Sequence, residues 1–273
     1  MYTIAYYCIL VPNSMRNLLR SGIRRMNLPL RLVSVALLFA AWLAGSHFAG
    51  TRLLPEPQTV WLAIVHEARS GALAFNLGVT LARVAIAFAI AMTLGTAIGL
   101  AMGRIPAFDQ LADPWLLVLL NLPALVIIVL AYVWAGLTET AAIVAIALNK
   151  LPIATVTVRE GARALDPTLS EMATVFRMSN WLRLRHLVLP QLAPYLAAAA
   201  RSGLSLVWKI ALIAELLGRP NGVGFEIGVA FQLFDVTRIL AYALVFIAVM
   251  LAIETFLVQP IERRVSRWRL KPA

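Results

Sequence analysis

The sequence predicts an all-α, polytopic membrane protein with about six transmembrane helices and one compact cytoplasmic loop. Three observations carry this expectation. The 273 residues are 61% hydrophobic and only 14% charged, whereas soluble domains sit nearer half apolar and a quarter charged. The apolar residues gather in runs of about 20, the length at which a helix crosses a bilayer with its own backbone satisfied. The 24 basic residues outnumber the 13 acidic ones, for a net charge of +11, and they cluster at the ends of the apolar runs. That is the positive-inside pattern of membrane topology, so no nucleic-acid partner is expected.

The elements follow in order. Residues 1–27 form a basic segment with Arg16, Arg20, Arg24 and Arg25 and no acid. Its opening MYTIAYYCILV lacks a basic start and is too short to span, so it does not read as a signal peptide. A first span is expected from about Leu28 to Ala49, then a mixed-charge segment with Pro55 and Pro57. The second apolar run, Phe75–Met102, is interrupted early by Arg83, which places its hydrocarbon section after that residue. Gly95, Gly99 and Gly103 give it one smooth face for close packing, within the chain or between copies. A third span is expected over Trp115–Ala135 and a fourth over Thr140–Val158, joined by a tight turn at Gly136-Leu137-Thr138-Glu139. Pro123 and Pro152 fall inside these spans, and each removes a donor and can kink its helix. Lys150 is expected to snorkel to the interface. The fifth and sixth spans read as Ala193–Leu217 and Ile239–Val258, with GRPNGVGFEIGVAFQLFD between them as a short helix on the outer surface. The tail 261–273 is basic, and an even count of spans places both termini in the cytoplasm.

The segment from Arg159 to Pro190 breaks the pattern, because it carries charges of both signs and its own helix punctuation. Asp166-Pro167 is a helix start, an acidic N-cap followed by proline at the first helical position. Leu169, Met172, Ala173 and Phe176 follow at i, i+3, i+4 and i+7, one apolar stripe on a short helix. Ser179 or Asn180 begins a second helix, and Pro190 and Pro194 mark re-entry into the membrane. An apolar stripe beside water must be covered by its own protein, by a partner's groove or by lipid headgroups. Physical reading alone leaves partner docking and resting on membrane lipid equally open.

The spacing of this segment resembles the EAA loop of bacterial ABC-importer permeases, the binding-protein-dependent inner-membrane family. That motif runs E-A-A, three residues, G, nine residues, then I-x-L-P. Here Glu171-Met172-Ala173 is followed after three residues by Arg177, and after nine more by Leu187-Val188-Leu189-Pro190. EGARALDP before the motif and LVWKIALIAELLG…GVGFEIG after it look closest to the nitrate/sulfonate/taurine-type permeases. The resemblance implies that residues 28–260 form the transmembrane domain, with 159–190 as its coupling loop fitting a cleft on cytoplasmic ABC ATPase subunits. It further implies a periplasmic solute-binding protein, a second permease copy, identical or not, and alternating access. ATP-Mg would be held by the partner ATPase, and no cofactor by this chain. The coupling residues so implied are Asp166, Leu169, Glu171, Met172, Ala173, Phe176, Arg177, Leu189 and Pro190. Arg177 stands where the family has a turn glycine, which implies a different turn or an altered docking geometry.

Three charges lie in or near the fifth span. Lys209 and Glu215 are six residues apart, roughly 600° around a helix, so they do not pair with each other. Arg201, Lys209 and Glu215 are either structural ion-pair partners and snorkelling groups or contacts for a small anion along the pathway. A secondary transporter driven through Lys209 and Glu215 is the main rival reading. A membrane enzyme is the other, although no convergent set of nucleophile, base or metal ligands stands out in the sequence.

Overall fold

The computed structural model describes residues 28–49 and 53–260, and it is helical nearly throughout. The basic segments expected at 1–27 and 261–273 lie outside the described residues. Contacts divide the chain into two units, meeting between Thr59 and Val60.

In the first unit, α1 (Leu28–Ala49) coincides with the first expected span, with its shorter apolar section at Leu32–Phe48. The Trp42 indole donates to the Pro55 carbonyl at 3.0 Å, holding the following residues back along the helix. The mixed-charge segment contains an unexpected helix, α2 (Pro57–Arg69), which starts on a proline and runs across the unit boundary.

The second unit holds the main bundle. Gly71, at φ 80°, separates α2 from α3 (Ala72–Arg104), and α4 (Pro106–Asn121) and α5 (Ala124–Ala135) follow. The Gly136 turn, at φ 70°, leads into α6 (Glu139–Arg163), capped by the Thr138 hydroxyl accepting from the Ala141 amide at 3.2 Å. After α7 (Pro167–Val175) come α8 (Asn180–Gly218), α9 (Val223–Gln232) and α10 (Val236–Val258).

Four of these helices, α3, α6, α8 and α10, are each long and apolar enough to cross a membrane, and α4 with α5 supplies a fifth if taken as one span. Four span positions therefore agree with expectation. The third differs, because α4 and α5 meet at 99° across Leu122-Pro123 rather than forming one rod. Proline has no amide to donate and its ring disfavours α geometry in the preceding residue, so Leu122 turns extended and the helix ends. Pro152, midway along a well-packed helix, leaves α6 unbroken.

Small residues determine the packing. A Cβ on Gly95 would lie 2.7 Å from the Ala154 methyl, and one on Gly103 would press on Ala162. The glycine stripe is thus spent inside the chain, and its order along both helices makes α3 and α6 parallel. α8 runs antiparallel to them, with Lys150 beside Gly203 and Gly161 beside Tyr195. Ala87, Ala91, Ala142, Ala145, Ala211 and Ala214 fill the centre between the three helices. The bundle therefore has a loop end, near Gly103, Arg163 and Leu189, and a far end, near Arg83, Glu139 and Glu215.

The second helix of the polar segment is not a separate element. It runs on as α8, through a π turn at Leu184–Val188 in which the Leu189 amide reaches back to Leu184. The wider turn moves aside the carbonyl that the Pro190 ring would otherwise strike, so the chain passes that proline without a break. The same device precedes Pro260, where Glu254–Val258 is also a π turn.

Candidate coupling site and buried ion network

The polar hairpin at the loop end is built as its sequence indicates. The Asp166 carboxylate accepts from the Thr168 amide at 2.8 Å and hydroxyl at 2.7 Å. These bonds, the hydroxyl's first, hold its carboxyl below the usual range. The Asp166 amide donates to Gln191 Oε1 at 3.0 Å, and Arg183 donates to the Ser170 hydroxyl, so the first half of α7 is tied at two points to α8. Ser179 caps α8, accepting from Leu182 at 3.3 Å. Beneath lies a small core of Ala162, Val188 and Leu192.

The apolar stripe divides in two. Ala173 is buried against the protein itself and Leu169 is half-buried. Met172 and Phe176 point away, with Phe176 73% exposed. Val175, Trp181 and Leu182, which the i, i+3, i+4 reading passed over, enlarge that exposed surface. Glu171 lies on the exposed side of α7, and Leu189 and Pro190 are exposed where α8 begins its apolar course.

Arg177 corrects one expectation. Its φ is 50°, left-handed, and the turn closes as it would around glycine. Its amide donates to the Thr174 carbonyl at 3.0 Å and the Met178 amide to Ala173 at 2.9 Å, the two bonds of a Schellman cap. The turn geometry is kept, and an arginine bears the left-handed strain of about 1–2 kcal/mol.

Beside the hairpin, Arg159 pairs with Asp113 at 2.5 Å and Asp109 at 3.5 Å, and Arg163 with Asp109 at 2.5 Å. The end of α6, from which the hairpin hangs, is thereby locked to α4.

At the far end is a network that the sequence reading did not anticipate. Arg83 was expected to bound a span, yet it is 2% exposed and central. It grips Glu139 bidentately at 2.5 and 2.9 Å and donates to Glu215 at 2.8 Å and to the Asn221 carbonyl at 2.8 Å. Glu215, fully buried, also accepts from Thr80 and from the Gly224 amide, each at 2.9 Å. Gly222, at φ 110°, packs on that carboxylate and donates to Asn76 at 2.8 Å. Asn76 donates to Glu226 at 3.0 Å, and Glu226 pairs with Arg238 at 2.8 Å. Arg219 closes the ring on Glu139 at 2.7 Å. Helices α3, α6, α8, α9 and α10 are thus pinned through charge-assisted bonds in a low-dielectric setting. The available signal was a charge inside an apolar run, which demands a partner, but its partners lie 56 and 132 residues away.

Glu215 is therefore neither outward-snorkelling nor exposed to a pathway. Lys150 does not snorkel either: it is fully buried, and its ammonium donates to the Ala199 carbonyl at 2.6 Å. Gly203 leaves the room this requires. Lys209 and Arg201 are exposed on α8, with Arg201 paired to Glu254 at 3.6 Å.

Spanning helices around a small-residue core, with an exposed amphipathic hairpin at one end, mark a polytopic membrane protein that presents an apolar tip outside its bundle. The chain belongs to the family of binding-protein-dependent transport system inner membrane components, whose model matches residues 91–267. It is similar to the putative aliphatic sulfonates transport permease protein SsuC of Escherichia coli (strain K12), at 30% identity over 88% of this chain and 90% of that one. It is also similar to the taurine transport system permease protein TauC of the same organism, at 24% identity over 88% and 89%. Among solved structures, the inward-facing MetNI methionine ABC transporter shares its fold, with a TM-score of 0.62 over 74% of this chain and 99% of that one at 19% identity. The protein is a multi-pass inner-membrane permease subunit of an ATP-driven importer, in which a separate subunit hydrolyses ATP and a binding protein brings the solute. Membership of this family sets aside the secondary transporter and the membrane enzyme.

Proposed function

We propose that this permease carries a small organic anion of sulfonate type and is driven through the α7–α8 hairpin. The single observation behind the drive is the exposed apolar tip, Met172, Val175, Phe176 and Trp181 around the Arg177 turn. Such a tip, tied on one side to its own helix core, suits insertion into a groove of the ATPase. In this reading Asp166 starts the docking helix, Leu169 and Ala173 seat it on the bundle, and Glu171, Met172 and Phe176 meet the partner. Arg177 forms the turn, and Leu189-Pro190 hands the movement to α8. ATP-Mg sits on the ATPase, and this chain supplies no cofactor.

The solute class is supported by the sulfonate and taurine permeases the chain resembles. Exposed cations on α8, Arg201 and Lys209, suit an anionic cargo, whereas Glu215 serves the far-end network. Residues 28–260 form the transmembrane domain with 159–190 as the coupling loop, and two copies of the permease line the pathway. The segments 1–27 and 261–273 lie in the cytoplasm on the hairpin's side, where their positive charge belongs.

A cysteine at Val175 tests the docking. In membranes holding the whole importer, Val175→Cys should form a thiol-specific cross-link to the ATPase subunit, which nucleotide binding changes in yield. Cross-linking to lipid-facing reagents alone would refute docking at this tip.

A further inference from the structure

The turn between α9 and α10, at the far end, carries a cluster of bare apolar side chains. Phe231, Leu233 and Phe234 are all exposed, Phe234 to 86%, and Phe234 sits in the left-handed region at φ 57°. Its amide donates to the Phe231 carbonyl at 3.1 Å and the Asp235 amide to Ala230 at 2.9 Å, so the turn closes like the one at Arg177. Left-handed backbone favours glycine or asparagine, and a bulky residue held there points to a use for its side chain.

The neighbouring span sets the level at which this tip lies. α10 is a continuous 23 residues, roughly 34 Å at about 1.5 Å per residue, against a hydrocarbon layer of about 30 Å. Its far-end charge, Arg238, turns inward to Glu226 at 2.8 Å, and no further charge follows until Glu254. The hydrocarbon section therefore begins just past Arg238, one helical turn from Phe234. Leu244, Ile247 and Leu251 form an exposed apolar stripe on α10, the least enclosed of the four single-helix spans. Uncharged and open, the stripe suits lipid tails, and traced back through Leu240 and Thr237 it leads to the turn. Within the turn, polar Gln232 and Asp235 are interleaved with the apolar residues, and Asp235 accepts from the Arg238 amide at 3.0 Å. Apolar side chains flanked by polar ones are the composition of a segment at the boundary between headgroups and acyl chains.

We infer that the α9–α10 turn is a lipid anchor: Phe231, Leu233 and Phe234 enter the headgroup–acyl boundary of the far leaflet and hold α9 at that depth. What α9 carries gives the anchor its consequence. Its Gly224 amide donates to Glu215 at 2.9 Å, and its Glu226 takes Asn76 at 3.0 Å and Arg238 at 2.8 Å. The anchor thereby ties one side of the far-end network to the bilayer. It depends neither on the solute nor on how the hairpin docks.

The test labels the turn in the whole permease–ATPase complex, held in phospholipid bilayers. Cys8, the one native cysteine, is replaced by serine, and Phe234→Cys or Leu233→Cys carries an environment-sensitive fluorophore. Phospholipid with a doxyl group near the top of its acyl chain quenches at lipid depth, and aqueous iodide quenches in water. The anchor predicts that doxyl lipid lowers emission at both positions about two-fold or more while iodide changes it little. Quenching by iodide alone places the turn in water. Protection from both quenchers places it under protein, either a second copy or the binding protein, and each of these results overturns the anchor. Emission is read only in complexes that retain the ATPase, and Leu233→Cys decides where Phe234→Cys does not assemble. Phe234→Gly then separates anchoring from backbone strain. Relief of strain alone slows amide exchange in α9, whereas loss of the anchor speeds it about three-fold or more in bilayers. Exchange that slows or stays unchanged overturns the claim that the ring holds α9.

Discussion

Arg177 shows how a single residue carries opposing energies. Left-handed backbone costs a residue with a Cβ about 1–2 kcal/mol, while glycine at the same place loses about 0.5–1 kcal/mol more entropy on folding. The first term wins, so Arg177→Gly should stabilise the turn by about 0.5–1 kcal/mol. Hydrogen exchange in α7 should slow, and faster exchange would mean that the arginine side chain makes a contact worth more than the strain. Arg83 presents a larger stake. Truncating it leaves the fully buried Glu215 carboxylate without its cation, and breaking such a pair costs about 3–5 kcal/mol. Arg83→Met should therefore lower the thermal midpoint sharply, and Arg83→Met with Glu215→Gln should recover part of the loss. An equal loss in both variants would show that the Glu215 charge is not what the arginine compensates. Neither residue's partners were legible beforehand, because local periodicity reports which face of a helix is apolar and not which distant helix meets it.

At the scale of elements, the hairpin was the most readable part of the chain. Asp166-Pro167 and Ser179 announced two helix starts through local chemistry, and both caps form. What stayed hidden depended on tertiary context: the division of the α7 stripe, the continuity of the second helix with α8, and the 99° break at Pro123. A proline signals a disturbance, but the surrounding packing decides whether the helix bends, widens into a π turn or carries on, as Pro123, Pro190 and Pro152 respectively show. The Asp166 cap also fixes a pH dependence. Its folded carboxyl is held below the unfolded value of about 3.9, so its contribution is complete above that pH and disappears as pH falls through the lower folded value. The difference in thermal stability between wild type and Asp166→Ala should thus be present at neutral pH and close in acid. A difference that persisted below the folded value would mean that the cap acts through its neutral form.

The whole molecule joins two polar layers through an apolar, small-residue core. The loop-end cluster of Asp109, Asp113, Arg159 and Arg163 fixes the hairpin to the bundle, and the far-end network around Arg83 fixes five helices to one another. Between them α6 and α8 run the full distance, touching at Lys150 and Gly203. Gly203→Ala would drive a methyl into the Lys150 chain and should cost about 1–3 kcal/mol. Rigid rods clamped at both ends can pass a push at the hairpin to the far end, as an importer requires. The central claim is that the push enters through the exposed tip. Co-purification from detergent with the ATPase subunit tests it most directly, comparing wild type with Phe176→Asp and Glu171→Ala. The account predicts a stable wild-type complex, loss of the ATPase in Phe176→Asp and weakened retention in Glu171→Ala. Full retention by Phe176→Asp, with transport intact, would contradict it.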